Sequence, residues 1–123
     1  MSDIMISEIL HRSAEVKNKM ISVCAGPAEQ AAQMIATSMR KGGKLMLCGN
    51  GGSAAVANHF ICDFNNGIKI TSKKKLLPRV ISLNNSNEII TAVSNDLDYK
   101  KIFSSQLENF AEKGDLLFVF SCS

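Results

Sequence analysis

The chain has 123 residues, 46% of them hydrophobic and 20% charged, with a formal net charge of +3. That size fits one domain able to bury a core, and the composition excludes a disordered or fibrous chain. No apolar stretch approaches the ~20 residues of a membrane span, and no cationic-then-apolar leader opens the sequence, so no membrane partner is expected.

Residues 3–22 read as a helix, with Ile4, Ile6, Ile9, Leu10, Ala14, Val16, Met20 and Ile21 at roughly helical spacing. These apolar positions exceed one narrow stripe and predict contact with another helix or subunit. Gly26 and Pro27 punctuate, and a second helix is predicted over 28–40, with Ala31, Met34, Ile35 and Met39 on one side. Gly42 and Gly43 end it. Lys44 to Cys48 is a short apolar run read as a buried strand, followed by a polar turn from Gly49 to Ser53. Helical spacing returns over 53–66, and 67–78 reads as a basic loop between Gly67 and Pro78. Arg79 to Leu83 is a second strand. Helices are predicted over 86–94 and 100–112, broken by Asn95-Asp96. Gly114 and Asp115 lead into a third strand, Leu116 to Phe120.

The order α-α-β-α-β-α-α-β predicts an α/β fold, an open parallel sheet with helices on both faces. Residues 1–40 would serve helix packing and oligomerisation, and 41–123 would form a partial sheet domain. The sequence stops just after the third strand, with nothing to cover it, and so reads as incomplete. Four cysteines at 24, 48, 62 and 122 contain no CxxC pair, which argues against a zinc ribbon and for reduced thiols in a cytoplasmic protein. The run Lys73-Lys74-Lys75 has no interleaved aromatics for base stacking, so it reads as a solvated loop and no nucleic-acid partner is expected.

The turn Cys48-Gly49-Asn50-Gly51-Gly52-Ser53-Ala54-Ala55 carries the chemistry. Its glycines let backbone approach a ligand, Ser53 suits a helix N-cap, and the next helix points its free N–H groups at the turn. Beyond the carboxyl end of a strand, that arrangement suits a phosphate or phosphosugar. The same letters fit G-x-G-x-x-A, a loose dinucleotide fingerprint, but the second strand ends Leu83-Asn84-Asn85 without the carboxylate that would hold a ribose. No nucleotide cofactor is therefore expected. A tight turn without ligand is the third reading.

On the following helix Ala57, Phe60, Ile61 and Phe64 form a core stripe, and His59 and Asp63 lie together on nearly the opposite side. Spaced i, i+4, they form either an exposed pair or part of a zinc site. His11 reads as a surface residue. Asn95-Asp96 reads as a helix-stopping turn or as a carboxylate facing the ligand. Ser121-Cys122-Ser123 follows the third strand at the same sheet edge as Asn50 to Ser53, and its hydroxyls and amides suit a phosphate or form an ordinary loop.

Together these residues resemble the SIS (sugar isomerase) family, and within it the phosphoheptose isomerase group. The family's CGNGGSAA turn is matched by Cys48 to Ala55. Its His-Phe-x-x-Glu helix segment corresponds to His59-Phe60-Ile61-Cys62-Asp63, and its Asn-Asp pair before an aromatic to Asn95-Asp96 and Tyr99. Its Pro-Gly-Asp-x-Leu entry to a strand ending in Ser-Thr-Ser corresponds to Lys113-Gly114-Asp115-Leu116-Leu117 and Ser121-Cys122-Ser123. The resemblance implies a flavodoxin-like three-layer fold and a homotetramer with active sites between subunits. It implies interconversion of sedoheptulose 7-phosphate and D-glycero-D-manno-heptose 7-phosphate for surface polysaccharide such as lipopolysaccharide. The substrate-binding set it implies is Asn50, Gly51, Gly52, Ser53, Asn95, Asp96, Ser121, Cys122 and Ser123. Asp63 and Asp96 are the candidate catalytic carboxylates, and His59 with Asp63 the candidate zinc ligands.

Three departures stand out. Asp63 replaces a Glu and is one methylene shorter. Val56 replaces an Asp. The serine loop ends at Ser123, without the family's later Gln and His, so this chain alone is not expected to complete the reaction. A non-catalytic phosphosugar-binding or regulatory protein is the alternative.

Overall fold

A computed structural model describes residues 3–122, which fall into two compact units, one up to Met34 and one from Ile35 onward. In the second unit, strand β1 (Leu45–Gly49) is buried at all five positions. A strand flanked on both sides and covered on both faces must be apolar throughout, which is why this run shows no alternation. β2 (Val80–Ser82) and β3 (Leu116–Phe120) pair with it in parallel, giving the order β2-β1-β3. Leu45 lies opposite both Val80 and Leu116, Leu47 opposite Ser82 and Phe118, and Gly49 opposite Phe120.

One face of the sheet carries Leu45, Leu47, Val80, Leu116, Phe118 and Phe120. Onto it pack Ile35 and Met39 from the end of helix α1 (Asp3–Arg40), and Ala57, Phe60 and Ile61 of α2 (Gly52–Cys62) with Phe64 just beyond. Full burial of Leu45 and Leu47 contributes about 1.5–3 kcal/mol each. Phe60 is the hub of an aromatic cluster, its ring centroid 5.0 Å from Phe64, 6.0 Å from Phe118 and 5.4 Å from Phe120. Aromatic pairs of this kind favour fixed offsets, so the cluster sets the spacing between α2 and the end of β3. The opposite face buries Met46 and Cys48 but leaves Leu117 and Val119 exposed. Burial pushes the Cys48 thiol above its usual range, which keeps it neutral and inert.

Several boundaries differ from the sequence reading. The two predicted N-terminal helices are one, and Pro27 lies inside it. Proline removes one backbone donor and crowds the preceding turn, but Ala25, Ala28, Glu29, Gln30, Ala31 and Ala32 around it are mostly strong helix formers, and the helix carries through. Its C-terminus closes as expected, with the Gly43 amide donating to the Ser38 carbonyl (2.9 Å) and the Gly42 amide to Met39 (3.1 Å), the paired bonds of a Schellman motif.

The basic loop begins later than Gly67. α2 passes directly into a π-helical segment (Asp63–Ile68) and a last turn α3 (Lys69–Thr71). Asn65 in this segment donates to the Val80 carbonyl (2.9 Å), tying the widened turn to the sheet edge. The lysine run ends the helix, with Lys73 and Lys74 at φ 51° and 63°.

α4 (Asn87–Asp96) is N-capped by Ser86, whose Oγ accepts from the Ile89 amide (3.3 Å). It includes Asn95 and Asp96, so the break falls at Leu97-Asp98 and not at the Asn-Asp pair. Asp98 then caps a 3₁₀ turn (Tyr99–Lys101), and α5 (Ser104–Phe110) is shorter than the predicted 100–112. None of the helices among the described residues is long and apolar enough to cross a membrane.

The sheet is tied at its amino end by Asp115. Its Oδ1 accepts from the Lys44 amide (2.7 Å) and its Oδ2 from the Glu112 amide (2.8 Å), while Lys44 Nζ lies 3.0 Å from Asp115 and 2.7 Å from Glu112. The bond from the Lys44 amide is the main reason the Asp115 carboxyl is lowered to about 2.

Candidate functional site

At the other end of β1 the chain turns sharply into α2. Gly49 is pressed against its neighbours: a Cβ there would meet Ser53 Cβ and its carbonyl carbon at 2.8 Å and the Phe120 carbonyl oxygen at 2.9 Å. Gly51 adopts φ 54°, ψ −124°, a conformation closed to side-chain-bearing residues. Two of the three glycines thus have distinct structural reasons, contact with the chain itself at Gly49 and backbone dihedrals at Gly51.

The turn places the helix N-cap two residues earlier than expected. Gly51, not Ser53, is the N-cap of α2, and Ser53 sits inside the first turn. The amides of Ser53 and Ala54 donate to the carbonyls of Asn50 (3.0 Å) and Gly51 (3.1 Å). Ser53 is thereby released from capping, and its Oγ lies 3.9 Å from Cys122 Sγ across the cleft.

The cleft has a volume of about 510 Å³ and is lined by Gly49, Asn50, Gly52, Ser53, Val56, Phe103, Val119, Phe120, Ser121 and Cys122. The structure thus brings together the glycine turn and the loop after β3, segments about 70 residues apart in sequence, because β1 and β3 are parallel neighbours ending at one sheet edge. It has the placement general to open α/β sheets, beyond the strand carboxyl ends at a helix N-terminus. Val56, unexplained in the sequence, lines the cleft as a half-exposed apolar wall. Ser123 lies outside the described residues.

The other predicted residues are elsewhere. Asn95 and Asp96 are exposed at the end of α4, where Asn95 Nδ2 donates to Asp96 Oδ1 (2.8 Å), and neither lines the cleft. His59 and Asp63 lie as expected on the outer side of α2, their side chains 78% and 65% exposed, with Nε2 3.8 Å from Oδ2. Ten residues separate Ser53 from Asp63, which is about 15 Å along a helix axis. A zinc site needs three or four protein ligands, and the described residues hold no group of three or more His, Cys, Asp or Glu placed to share a metal. The pair is chemically suited to zinc but supplies only two donors.

Two residues of the site escaped the sequence reading. Tyr99, noted there only as an aromatic, donates its hydroxyl to Asn50 Oδ1 (3.1 Å). Asn84, noted only for not being a carboxylate, pairs with both backbone groups of Gly49: its Oδ1 accepts from the Gly49 amide (3.0 Å) and its Nδ2 donates to the Gly49 carbonyl (2.8 Å). An amide at a strand end, facing the first glycine of such a turn, is the only signal that could have marked it.

Comparison with known proteins agrees with this geometry. The family described as SIS domain matches residues 9–123. A phosphoheptose isomerase of Aliarcobacter butzleri (strain RM4018) is 36% identical over 123 residues, all of this chain and 63% of that protein. A phosphoheptose isomerase of Roseiflexus sp. (strain RS-1) is 37% identical, over 97% of this chain and 58% of the relative. Among solved structures, phosphoheptose isomerase GmhA from Neisseria gonorrhoeae superposes with a TM-score of 0.86 at 27% identity, covering 97% of this chain and 60% of that one. The chain thus spans about three-fifths of the length of the relatives it matches.

Proposed function

The chain belongs to the SIS domain family, and from that premise we propose that it forms the phosphosugar-binding part of an isomerase interconverting sedoheptulose 7-phosphate and D-glycero-D-manno-heptose 7-phosphate. The observation that carries this reading is the cleft, where the glycine turn, the start of α2 and the serine loop meet. The alignment to a phosphoheptose isomerase over the full chain supports the choice of sugar.

In this proposal Asn50, Gly51, Gly52, Ser53, Ser121, Cys122 and Ser123 hold the phosphate and nearby hydroxyls, with Asn95 and Asp96 further along the sugar. An aldose–ketose interconversion takes a proton from the carbon beside the carbonyl and returns one to the former carbonyl carbon, which a carboxylate within hydrogen-bond reach can do. Asp63 and Asp96 are the proposed carriers. Neither lines the cleft of its own chain, so the reaction is proposed where the cleft meets groups from outside the described residues. A homo-oligomer, a tetramer in this reading, would supply such a junction, and the exposed Leu10, Ile21 and Val23 of α1 support association. His59 and Asp63 would hold zinc only with donors from outside the described residues, and zinc would there polarise a substrate oxygen. Four unpaired cysteines support a cytoplasmic setting, and the product would feed synthesis of a heptose-containing surface polysaccharide.

The test is conversion of sedoheptulose 7-phosphate by the full protein, followed by separation of the two heptose phosphates. Turnover is expected; tight binding without turnover would favour the second reading, a non-catalytic phosphosugar-binding protein. That reading has its own support, because the cleft residues of the described chain include no carboxylate and no imidazole.

A further inference from the structure

We infer that Asn84 is a positioning residue for the phosphosugar turn, a role that rests on the function proposed above. β2 ends at Ser82, whose partner on β1 is Leu47, while β1 runs on to Gly49. The last ladder bond on that side joins the Leu83 amide to the Leu47 carbonyl (2.9 Å). Beyond it, the peptide groups of Gly49 face no strand. The Asn84 side chain takes the missing strand's place, since a primary amide presents the same donor and acceptor as a backbone peptide. The two bonds also fix which way the amide points: the Gly49 N–H requires oxygen and its carbonyl requires the NH₂ group.

Asn84 is itself held from behind. Its backbone N–H donates to Ser82 Oγ (3.0 Å), and the buried Gln106 donates to the adjoining Leu83 carbonyl (2.9 Å). The hold passes forward because Gly49 has no free space toward Ser53 and Phe120. Its backbone lies against Ser53 and the Phe120 carbonyl so closely that a Cβ does not fit. A displacement of Gly49 therefore displaces Ser53 and the first turn of α2, the groups that would meet the phosphate.

Only a short neutral amide serves at this position. Aspartate would keep the bond from the Gly49 amide, set oxygen against the Gly49 carbonyl and add negative charge near an anion turn. A carboxylate is what a dinucleotide site places at this strand end, so the two uses of the position exclude each other.

The experiment is calorimetric titration of the full protein and of Asn84→Ala and Asn84→Asp with sedoheptulose 7-phosphate, at a temperature where circular dichroism shows each fully folded. The Gly51 and Gly52 amide resonances are followed in parallel. Both variants are expected to bind roughly tenfold or more weakly, since small misplacements at a binding turn are amplified, and both are expected to move the two glycine resonances before ligand is added. A role confined to stability would leave the affinity of the folded variants unchanged, and that result overturns the inference. Weakening by Asn84→Asp alone also overturns it, because charge and not position would be the cause. Should Asn84→Ala not fold, Asn84→Gln decides in its place: it keeps a neutral amide but displaces Gly49 by one methylene, and wild-type affinity in it overturns the inference. If the wild-type protein does not bind the phosphosugar, the proposed function fails first and takes this role with it.

Discussion

The two ends of β1 have opposite character. At the amino end polar groups are matched within the chain. Asp115 takes the amides of Lys44 and Glu112, Lys44 Nζ joins both carboxylates, Arg79 donates to the Gly42 carbonyl (2.8 Å), and Ser38 Oγ to the Gly114 carbonyl (2.7 Å). At the carboxyl end the backbone is fixed just as firmly, by Asn84 on one side and Phe120 on the other, but Asn50, Ser53, Ser121 and Cys122 line an open cleft. One end seals the sheet with charge. The other is built from glycine and neutral amides, so that its fixed donors face a cleft. Substitutions at the two ends should therefore separate: stability alone at the first, stability and binding together, or binding alone, at the second.

Gly49→Ala should have the largest effect and should strike both properties. Its Cβ would lie 2.8 Å from Ser53 backbone and side-chain carbon and 2.9 Å from a carbonyl oxygen, contacts that flexible side chains cannot relieve. Overpacking against backbone costs about 3 kcal/mol, and chemical denaturation should show a loss of that order. Binding of sedoheptulose 7-phosphate by the fraction still folded should be undetectable by calorimetry. Binding at wild-type affinity would mean the turn tolerates movement and would break the contrast between the ends.

Asp115→Ala comes next and should be a pure stability variant. Removing the carboxylate strands two backbone donors and leaves the Lys44 ammonium with Glu112 alone, a loss of about 2 kcal/mol, while phosphosugar affinity of the folded protein stays unchanged. The carboxyl is lowered from an ordinary 3.8 to about 2 when folded. Its contribution is therefore complete above about pH 4 and is lost as pH falls through 2, because the unfolded chain takes up its proton first. Urea titrations of wild type and Asp115→Ala should differ most at neutral pH and converge toward pH 2. A gap that widens on acidification would contradict the assignment of Asp115 as an ionised tie.

What the sequence made legible follows the range of the interactions involved. All three strands were readable as short apolar runs, fully buried in β1 and only partly in β2 and β3, and the core stripe Ala57, Phe60, Ile61 and Phe64 was readable because its period is local. The glycine turn showed itself through residue types that few other structures require. The exact start of α2 did not, since Ser53 is a good N-cap by preference and Gly51 takes the position only through its unusual dihedrals. The unbroken α1 was hidden by Pro27, a local signal overridden by its neighbours. Asn84, Tyr99 and the Asp115 tie were illegible for a different reason. They act across 35, 49 and 71 residues of sequence, and no local pattern distinguishes an asparagine that completes a strand from one that ends a turn.

Ser53→Ala should remove affinity without stability. Among the described residues Ser53 Oγ has a 3.9 Å contact to the exposed Cys122 Sγ, so its loss strands no buried partner there, and thermal denaturation should shift little. In the proposed site the hydroxyl meets phosphate, and one such hydrogen bond corresponds to about a three- to tenfold loss in affinity. Unchanged affinity would move the phosphate away from this turn.

His59→Ala should have the smallest effect on the folded chain. The His59–Asp63 pair lies in solvent on the side of α2 away from the sheet, at 3.8 Å, beyond good hydrogen-bonding distance. Exposed pairs of this kind contribute about 0–1 kcal/mol, and the imidazole is 78% exposed, so its removal opens little to water. A change below about 0.5 kcal/mol in a urea titration is therefore expected. Phosphosugar affinity separates the possible roles further. If the outer face of α2 completes a site with groups from outside the described residues, His59→Ala reduces turnover in the assembled protein while phosphate binding at the glycine turn persists. A stability loss well above 1 kcal/mol would instead show that this face is covered in the native protein, and the contrast would then run between three regions and not two.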